Sequence, residues 1–233
     1  MARALEVEHL WQAYRRDRRG RLRGATSQWA LKDISFGAET GEMLGVIGAN
    51  GSGKTTLLRS IAGILRPDKG RVSVAGRVAS VTDLAPGLDR DFSGREHILI
   101  TGVLFGLTRS EVRARQDDIL TLSGLHRDDL EKPMRTYSAG MTLRLAVAVA
   151  LNSSPKLVLI DDVLAAGDED FLDRAFGRMD ALRRDGALMI IASHDLDLIS
   201  SHCDRVVLLD QGSLQFTGPP SAALEYRRRE RAS

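Results

Sequence analysis

Residues 43–56 are Met-Leu-Gly-Val-Ile-Gly-Ala-Asn-Gly-Ser-Gly-Lys-Thr-Thr, and the fold class can be predicted from them. The apolar run Met43–Ile47 is typical of a strand buried in a parallel sheet. The segment that begins at Lys54 has a helical pattern. Residues 48–55 fit G-x-x-x-x-G-K-[ST] between these two elements, which is the setting that a phosphate-binding loop requires. The stretch therefore predicts an α/β protein with a phosphate site.

The residue types in this loop match the chemistry of a bound phosphate. Glycines allow backbone N–H groups to converge on phosphate oxygens, and the helix start adds its dipole. We expect Lys54 to reach the β- and γ-phosphates and the Thr55 hydroxyl to hold Mg²⁺. The alternative is a glycine-rich turn, but that would leave the lysine and the hydroxyls at a helix start unexplained. The predicted nucleotide contacts are Gly48, Asn50, Gly51, Ser52, Gly53, Lys54, Thr55 and Thr56.

Two adjacent carboxylates follow another buried strand. Leu157–Ile160 is an apolar run, and Asp161 and Asp162 come directly after it. A carboxylate at the C-terminal end of a strand lies at the ligand edge of an α/β sheet. Taken alone, the pair could be a plain turn or helix cap, but beside the phosphate loop it predicts Asp161 as a Mg²⁺ partner.

Short apolar runs alternate with helical patterns along the chain, which indicates βαβ architecture. Further predicted strands are Leu5–Leu10, Ala30–Phe36, Arg71–Val74, Arg77–Val81, Ala187–Ala192 and a hairpin over Val206–Phe216; the pair around Ala75-Gly76 is expected to be hydrogen-bonded together. Predicted helices are Lys54–Leu65, Ser138–Leu151, Glu169–Arg184 and the segments after the capping boxes Ser93–Glu96 and Thr108–Glu111. Residues 85–152 are thus predicted as a mostly helical insert in a core formed by residues 1–84 and 153–233.

Composition indicates a water-soluble protein. The net charge is +2 and 43% of the residues are hydrophobic, and no apolar run reaches the ~20 residues that a membrane helix needs. Arg3, Glu6 and Glu8 interrupt any signal peptide, and the single cysteine, Cys203, excludes an internal disulfide and fits a reducing compartment. We expect a cytoplasmic protein whose membrane role comes through a partner.

A second motif gives a specific family resemblance. Tyr137-Ser138-Ala139-Gly140-Met141, leading into Arg144, resembles the signature motif of ABC transporter ATPases, usually Leu-Ser-Gly-Gly-Gln. It is most similar to the Tyr-Ser-(Ser/Ala)-Gly-Met variant of the branch that exports capsule, O-antigen and teichoic acid. Gly76–Ala79, Ser93–Glu96 and residues 162–168 carry the same resemblance, which spans roughly residues 30–216.

The resemblance implies a P-loop NTPase (ABC ATPase) core with a parallel sheet, an N-terminal antiparallel β subdomain and an inserted helical subdomain that carries the signature. It also implies that two copies sandwich two ATP molecules head to tail. Ser138 and Gly140 of one copy would then face the γ-phosphate bound by the other. Both residues open a predicted helix, whose N–H groups form an anion site, although a serine would cap that helix in either case.

The resemblance assigns further site residues. His194 matches the switch histidine that touches the γ-phosphate and orients the attacking water, and Asp83 takes the place of a metal-sensing glutamine. An aromatic ring stacks on adenine, for which Tyr14 is favoured over Trp29. The implied catalytic set is Asp162, His194, Lys54 and Ser138.

Asp162 departs from the family pattern, because the catalytic carboxylate is normally glutamate. The shorter side chain withdraws its oxygens by roughly 1.5 Å, and misplacement by about 1 Å can cost on the order of a hundredfold in rate. We therefore predict hydrolysis that is slow but present.

These features together predict the ATP-binding subunit of an ABC exporter with ATP and Mg²⁺ as cofactors. It would lie on the inner face of the cell membrane and drive export of a polysaccharide or lipid-linked glycan through a separate integral membrane permease. The permease would make most contacts with the glycan, and no nucleic acid partner is expected. The chain stops about where such an ATPase ends, so we expect glycan-end recognition to lie elsewhere.

Alternative functions remain within the same family. The chain could be an ATP-clamped dimer with weak or absent hydrolysis, or a subunit for another substrate. Soluble ABC proteins of DNA repair or translation usually carry a long coiled-coil insertion or two ATPase domains, and neither occurs here. A GTPase is disfavoured because no Asn-Lys-x-Asp motif is present.

Arg15–Arg23 is a strongly basic stretch between the first two predicted strands. One interpretation is a solvated loop. The other is an approach to the membrane partner or to anionic headgroups, where each basic residue contributes about 1 kcal/mol.

Overall fold

The computed structural model describes residues 2–14, 28–81, 90–161, 167–223 and 225. Its strands are β1 (Arg3–Tyr14), β2 (Gln28–Glu39), β3 (Met43–Ile47), β4 (Lys69–Val74), β5 (Val78–Ser80), β6 (Leu157–Asp161), β7 (Leu188–Ala192), β8 (Arg205–Asp210) and β9 (Ser213–Gly218). Its α-helices are α1 (Lys54–Ile61), α2 (Gly94–Leu104), α3 (Arg109–Ala114), α4 (Gln116–Ser123), α5 (Ala139–Asn152), α6 (Glu169–Arg184) and α7 (Leu196–His202). Short 3₁₀ turns cover Arg127–Glu131 and Met134–Thr136. None of the helices in these described ranges is long and apolar enough to span a bilayer.

Two sheets form the framework. The larger has the order β5-β6-β7-β3-β8-β9 and is parallel apart from β9, while the smaller is antiparallel with the order β2-β1-β4. The predicted parallel core and N-terminal antiparallel β unit are therefore both confirmed.

Strand β3 lies inside the larger sheet, and all five of its residues are buried. Successive side chains of a strand point to opposite faces. Leu44 and Val46 accordingly join one hydrophobic cluster, which packs β1, β2 and α1 against the sheet. Met43 and Ile47 join the other cluster, which contains residues of α2, α5 and α6. A strand buried on both faces explains the continuous apolar run.

The predicted pairing around Ala75-Gly76 is wrong. β4 pairs antiparallel with β1, and β5 pairs parallel with β6. The Ala75 N–H donates to Ala4 O at 2.9 Å, whereas Arg77 O accepts from the Lys156 N–H at 2.9 Å. Since neighbouring backbone groups bond to different sheets, the chain crosses between the sheets here and does not fold back on itself.

Helix α1 ends at Ile61, four residues earlier than predicted. Gly63 has φ +75, and the Ile64 N–H donates back to Arg59 O at 3.0 Å. A left-handed glycine with this hydrogen bond is a common helix stop, so Gly63 ends the helix before Pro67 can.

Both predicted capping boxes are present. Ser93 Oγ accepts from the Glu96 N–H, Glu96 Oε2 accepts from the Ser93 N–H, and Thr108 and Glu111 repeat the arrangement. Helices α2 to α5 fall inside the predicted insert, and its limits at residues 85 and 152 stay a prediction.

Candidate functional site

A cleft of about 1230 Å³ opens at the C-terminal end of the parallel sheet. Its walls come from the end of β1, the start of β2, the loop between β3 and α1 with the first turn of α1, the end of β6, and the turn between β8 and β9. The lining residues are Tyr14, Gln28, Trp29, Ala30, Lys32, Asn50, Gly51, Gly53, Lys54, Thr55, Thr56, Asp161, Gln211 and Gly212.

The predicted phosphate loop forms the floor of the cleft. Six of its eight predicted contact residues line the cleft, and the other two, Gly48 and Ser52, are buried. Gly53 precedes α1 with φ +109 and gives the helix no side-chain cap. No side chain of the N-cap residue bonds to the first N–H groups of α1. Such free N–H groups at a helix N-terminus can bind an anion.

Lys54 lies at the start of α1 with only 7% of its surface exposed. Its ammonium donates to Gly48 O at 2.9 Å and to Ala49 O at 3.3 Å, so it is held over the loop. The buried Ser52 Oγ has no hydrogen-bond partner in the part of the chain that the structure describes. A buried hydroxyl without a partner is costly, and a ligand in the loop would relieve that cost.

Thr55 and Asp161 line the cleft from two different elements, the first turn of α1 and the last residue of β6. Mg²⁺ prefers oxygen ligands and usually keeps several waters and phosphate oxygens in its shell. One hydroxyl and one carboxylate fit that requirement. No cluster of three or more His, Cys, Asp or Glu side chains that could hold a metal occurs within the described ranges.

Both candidate adenine-stacking residues line the cleft. Tyr14 is 40% exposed, and its Oη lies 3.2 Å from Thr56 Oγ1. Trp29 packs edge-on against Trp11, with ring centroids 5.1 Å apart and an angle of 78°. Lys69 Nζ lies 5.3 Å and 5.7 Å from the Trp11 and Trp29 ring centroids. The favoured role of Tyr14 over Trp29 stays a prediction.

The signature residues lie elsewhere on the chain. Ser138 is the N-cap of α5, and its Oγ accepts from the Met141 N–H at 3.1 Å. Neither Ser138 nor Gly140 is among the described residues that line the cleft. The capping role of Ser138 is therefore present, and the start of α5 does not border the cleft.

Tyr137 anchors the signature to the helical part. Its ring is buried, its hydroxyl donates to Asp129 O at 2.7 Å, and burial raises its pKa to about 12. A side chain on Gly94, the first residue of α2, would collide with Tyr137 Oη. On α5, Arg144 donates to the carboxylate of Asp168 at 2.7 Å.

His194 follows β7, whose last residue lies beside Asp161 in the sheet. The Ser193 N–H donates to Val46 O at 3.2 Å, which fixes this connection next to the end of β3. His194 is exposed, at the same sheet edge as the phosphate loop, and does not number among the described cleft-lining residues. Three further predictions, Asp162, Asp83 and the basic stretch Arg15–Arg23, lie outside the described residues.

Five lining residues were not predicted from the sequence: Gln28, Ala30 and Lys32 of β2, and Gln211 and Gly212 of the β8–β9 turn. The Gly212 N–H donates to Ser52 O at 3.0 Å, and Gly212 O accepts from the Lys32 N–H at 2.7 Å. The turn itself is recognisable in the sequence as Asp210-Gln211-Gly212. Its place beside the phosphate loop depends on strand order, which no local pattern gives.

Comparison with known proteins agrees with this geometry. Residues 31–165 match the ABC transporter family. The O-antigen export system ATP-binding protein RfbB of Myxococcus xanthus is 42% identical over 206 residues, covering 88% of this chain and 47% of that protein. The teichoic acids export ATP-binding protein TagH of Lactococcus lactis is 36% identical over 201 residues, covering 86% and 43%. The chain thus spans about half the length of these relatives.

Solved structures show the same fold. A structure of the ATP-binding subunit of an ABC transporter aligns with a TM-score of 0.81 at 26% identity, covering 98% of this chain and 93% of the other. A dimeric post-hydrolysis state of the cassette MJ0796, bound to ADP and Pi, aligns with a TM-score of 0.79 at 19% identity, covering 93% and 98%. The phosphate loop, the signature motif and these relatives all indicate the same family. The relatives named above belong to its polysaccharide-export branch. The chain therefore belongs to the ABC transporter family.

Proposed function

We propose that this chain is the ATP-binding subunit of an ABC exporter that hydrolyses ATP to drive a glycan through a separate membrane permease. The observation that carries the proposal is the cleft itself. It brings an uncapped helix start, a buried lysine, a hydroxyl–carboxylate pair and an aromatic wall around one volume. Such a set is suited to a nucleoside triphosphate, because one end accepts phosphates and the other accepts a flat base.

The phosphate end performs binding and charge stabilisation. Backbone N–H groups of the loop glycines and of the start of α1 hold the β- and γ-phosphates. Lys54 exchanges its loop carbonyls for phosphate oxygens. Thr55 and Asp161 would hold Mg²⁺, which when bound supplies positive charge next to the transferred phosphate. Tyr14 stacks on the adenine, with Trp29 as its competitor.

Three residues complete the proposed catalysis. His194 orients the attacking water beside the γ-phosphate, Asp162 accepts its proton, and Asp83 senses the metal. Positioning and electrostatic stabilisation dominate phosphoryl transfer, so a carboxylate set back by one bond slows the reaction without abolishing it.

A second copy of the chain completes the site. Ser138 and Gly140 open α5 on a surface that does not line the described cleft. Head-to-tail pairing of two chains would place this helix start against the γ-phosphate held by the partner. The dimeric ADP-bound cassette of the same fold supports such an arrangement.

Glycan export is supported by the names of the relatives, an O-antigen export protein and a teichoic acids export protein. The substrate would be a polysaccharide or a lipid-linked glycan, contacted mainly by the permease. The chain would then sit on the cytoplasmic face of the cell membrane.

A mixing experiment tests the composite site. A Ser138→Arg variant and a Lys54→Ala variant should each lose ATP hydrolysis, because every site in either homodimer lacks one component. In an equal mixture about half of the dimers contain one chain of each variant. One of the two sites in such a heterodimer combines the unaltered Lys54 of one chain with the unaltered Ser138 of the other. About a quarter of all sites should therefore be intact. Recovery above the activity of either variant alone is the expected result, and no recovery on mixing rules out the shared site.

Substitution of Asp162 separates hydrolysis from an ATP-clamped dimer that turns over weakly or not at all. Asp162→Asn should trap ATP and leave a stable dimer, measured by light scattering. Asp162→Glu should hydrolyse faster than the parent chain if the shorter side chain limits the rate. A clear loss of activity on lengthening contradicts the geometric explanation.

Export itself is tested in the cell of origin. Replacing the gene by its Lys54→Ala variant should remove the surface glycan and leave its precursor inside the cell. Normal surface glycan in that strain would assign the exporter another substrate.

A further inference from the structure

The β8–β9 turn, residues 210–213, is hydrogen-bonded to two segments that are far from it in the sequence, the phosphate loop and β2. The Gly212 N–H donates to Ser52 O in the phosphate loop at 3.0 Å. On its other side, Gly212 O accepts from the Lys32 N–H of β2 at 2.7 Å. One residue of the turn therefore bonds the phosphate loop to the strand that forms the opposite wall of the cleft.

The backbone packs too closely around three glycines of the loop and the turn for a side chain to fit at any of them. Gly212 has φ +81, and a Cβ there would lie 2.6 Å from Ala30 O. A Cβ on Gly53 would lie 2.8 Å from the same oxygen, and one on Gly48 would collide with Leu209 O. The loop and the turn are thus in backbone contact with β2 and β8, and any change in the turn is transmitted to the loop.

The turn also has a fixed shape. Gln211 has φ +46 and Gly212 has φ +81, so both central residues of this two-residue hairpin are left-handed. Positive φ is uncommon for a residue with a side chain and persists where the surroundings determine it. Both residues line the cleft beside Ala30 and Trp29.

We propose that the β8–β9 turn is a positioning element for the phosphate loop. It fixes the distance between the phosphate end of the cleft and the aromatic wall on β2, and so sets the affinity for phosphate-bearing nucleotides. The proposal rests on the nucleotide binding proposed above.

A matched pair of glycine substitutions tests the proposal. Gly212→Ala and Gly186→Ala place a side chain at nearly the same backbone angle, φ +81 and φ +84, but Gly186 has nothing within 4 Å of its Cβ. Both variants place an alanine at positive φ and should lose a similar amount of stability for that reason. Only the Cβ of Gly212→Ala lies too close to the Ala30 carbonyl oxygen. Relief of that contact requires a shift of about 0.6 Å in the backbone. The hydrogen bonds of Gly212 to Ser52 and Lys32 carry this shift to the phosphate loop and to β2.

The measurement is the Kd for MgADP, followed by the fluorescence of the two tryptophans, one of which lines the cleft. We expect the Kd of Gly212→Ala to exceed that of Gly186→Ala by at least tenfold, with melting temperatures that agree within a few degrees. Equal Kd values for the two variants overturn the proposal.

Amide hydrogen exchange of the unaltered chain gives a second test that does not depend on how a variant folds. MgADP should slow exchange in peptides covering residues 28–32 and 210–213 together with the phosphate loop. Protection of the loop without any change in the turn overturns the proposed positioning role. If MgADP slows exchange nowhere, the proposed nucleotide binding itself is wrong.

Discussion

Gly94 and Tyr137 form a contact whose energy can be isolated by a double-mutant cycle. Gly94 begins α2, and a Cβ there would collide with Tyr137 Oη, lie 3.0 Å from Tyr137 Cζ and lie 3.2 Å from Leu130 Cα. The ring cannot swing aside, because it is 7% exposed and its hydroxyl donates to Asp129 O at 2.7 Å. Overpacking of this kind costs about 1–3 kcal/mol, so Gly94→Ala should destabilise the protein by roughly 2 kcal/mol.

Tyr137→Phe alone should cost about 1 kcal/mol, since it removes one buried hydrogen bond. In the double variant the colliding oxygen is absent, so adding Gly94→Ala should cost no more than about 1 kcal/mol. The two substitutions are then expected to be less than additive by about 1–2 kcal/mol.

Urea unfolding of the parent chain, both single variants and the double variant measures this coupling. Gly177→Ala in α6 is the control, because a Cβ there meets nothing within 4 Å, and it should stabilise by about 0.5–1 kcal/mol. Additivity of the two test substitutions within about 0.5 kcal/mol would refute the predicted contact. Since Ser138 follows Tyr137 directly, the proposed ATP hydrolysis should fall with Gly94→Ala and return partly in the double variant.

Three further outcomes are expected. Burial raises the pKa of the Cys203 thiol to about 12. The folded chain should therefore react slowly with a disulfide reagent at pH 8, and rapid labelling of the folded chain would contradict this. The free energy of unfolding should fall as the pH rises from about 9 toward 12, because the unfolded thiol loses its proton first. Burial lowers the pKa of His97 below its ordinary 6.5. The unfolded chain therefore binds a proton at His97 more readily than the folded chain, and the free energy of unfolding falls as the pH drops below about 6.5. In His97→Gln the free energy of unfolding should depend less steeply on pH in this acid range. Thr108→Ala removes the N-cap of α3 and should cost about 1 kcal/mol in urea unfolding, whereas Thr108→Ser should cost clearly less; equal losses would argue against the cap.

Features that depend on residues close together in the sequence could be predicted. The capping boxes at Ser93 and Thr108 and the glycine-lysine loop act within a few residues, so their sequence patterns carry the structure directly. The buried β3 run is likewise visible, because a strand covered on both faces has no polar positions.

Non-local pairing was harder to predict. The interpretation of residues 71–81 as a hairpin was wrong because two strands joined by a short glycine turn are the simplest local solution, and only the whole topology shows that they belong to different sheets. The position of Gln211 and Gly212 at the cleft depends on strand order in the same way. The favoured role of Tyr14 over Trp29 is not fixed by any sequence pattern, since both rings come from strands that reach one wall.

The position of β3 has a consequence for how the chain folds during synthesis. Val46 pairs with Ala192 on one side and with Val207 on the other, so the strand that supports the phosphate loop gains both neighbours from the last part of the described chain. Non-local strand pairing is slow, because a long loop must close before its contacts form. On the ribosome, residues 43–56 emerge before β7 and β8 and cannot complete the cleft until those strands have followed. The apolar strand β3 therefore lacks both of its sheet neighbours until β7 and β8 have been made, and an unpaired apolar strand is prone to aggregation.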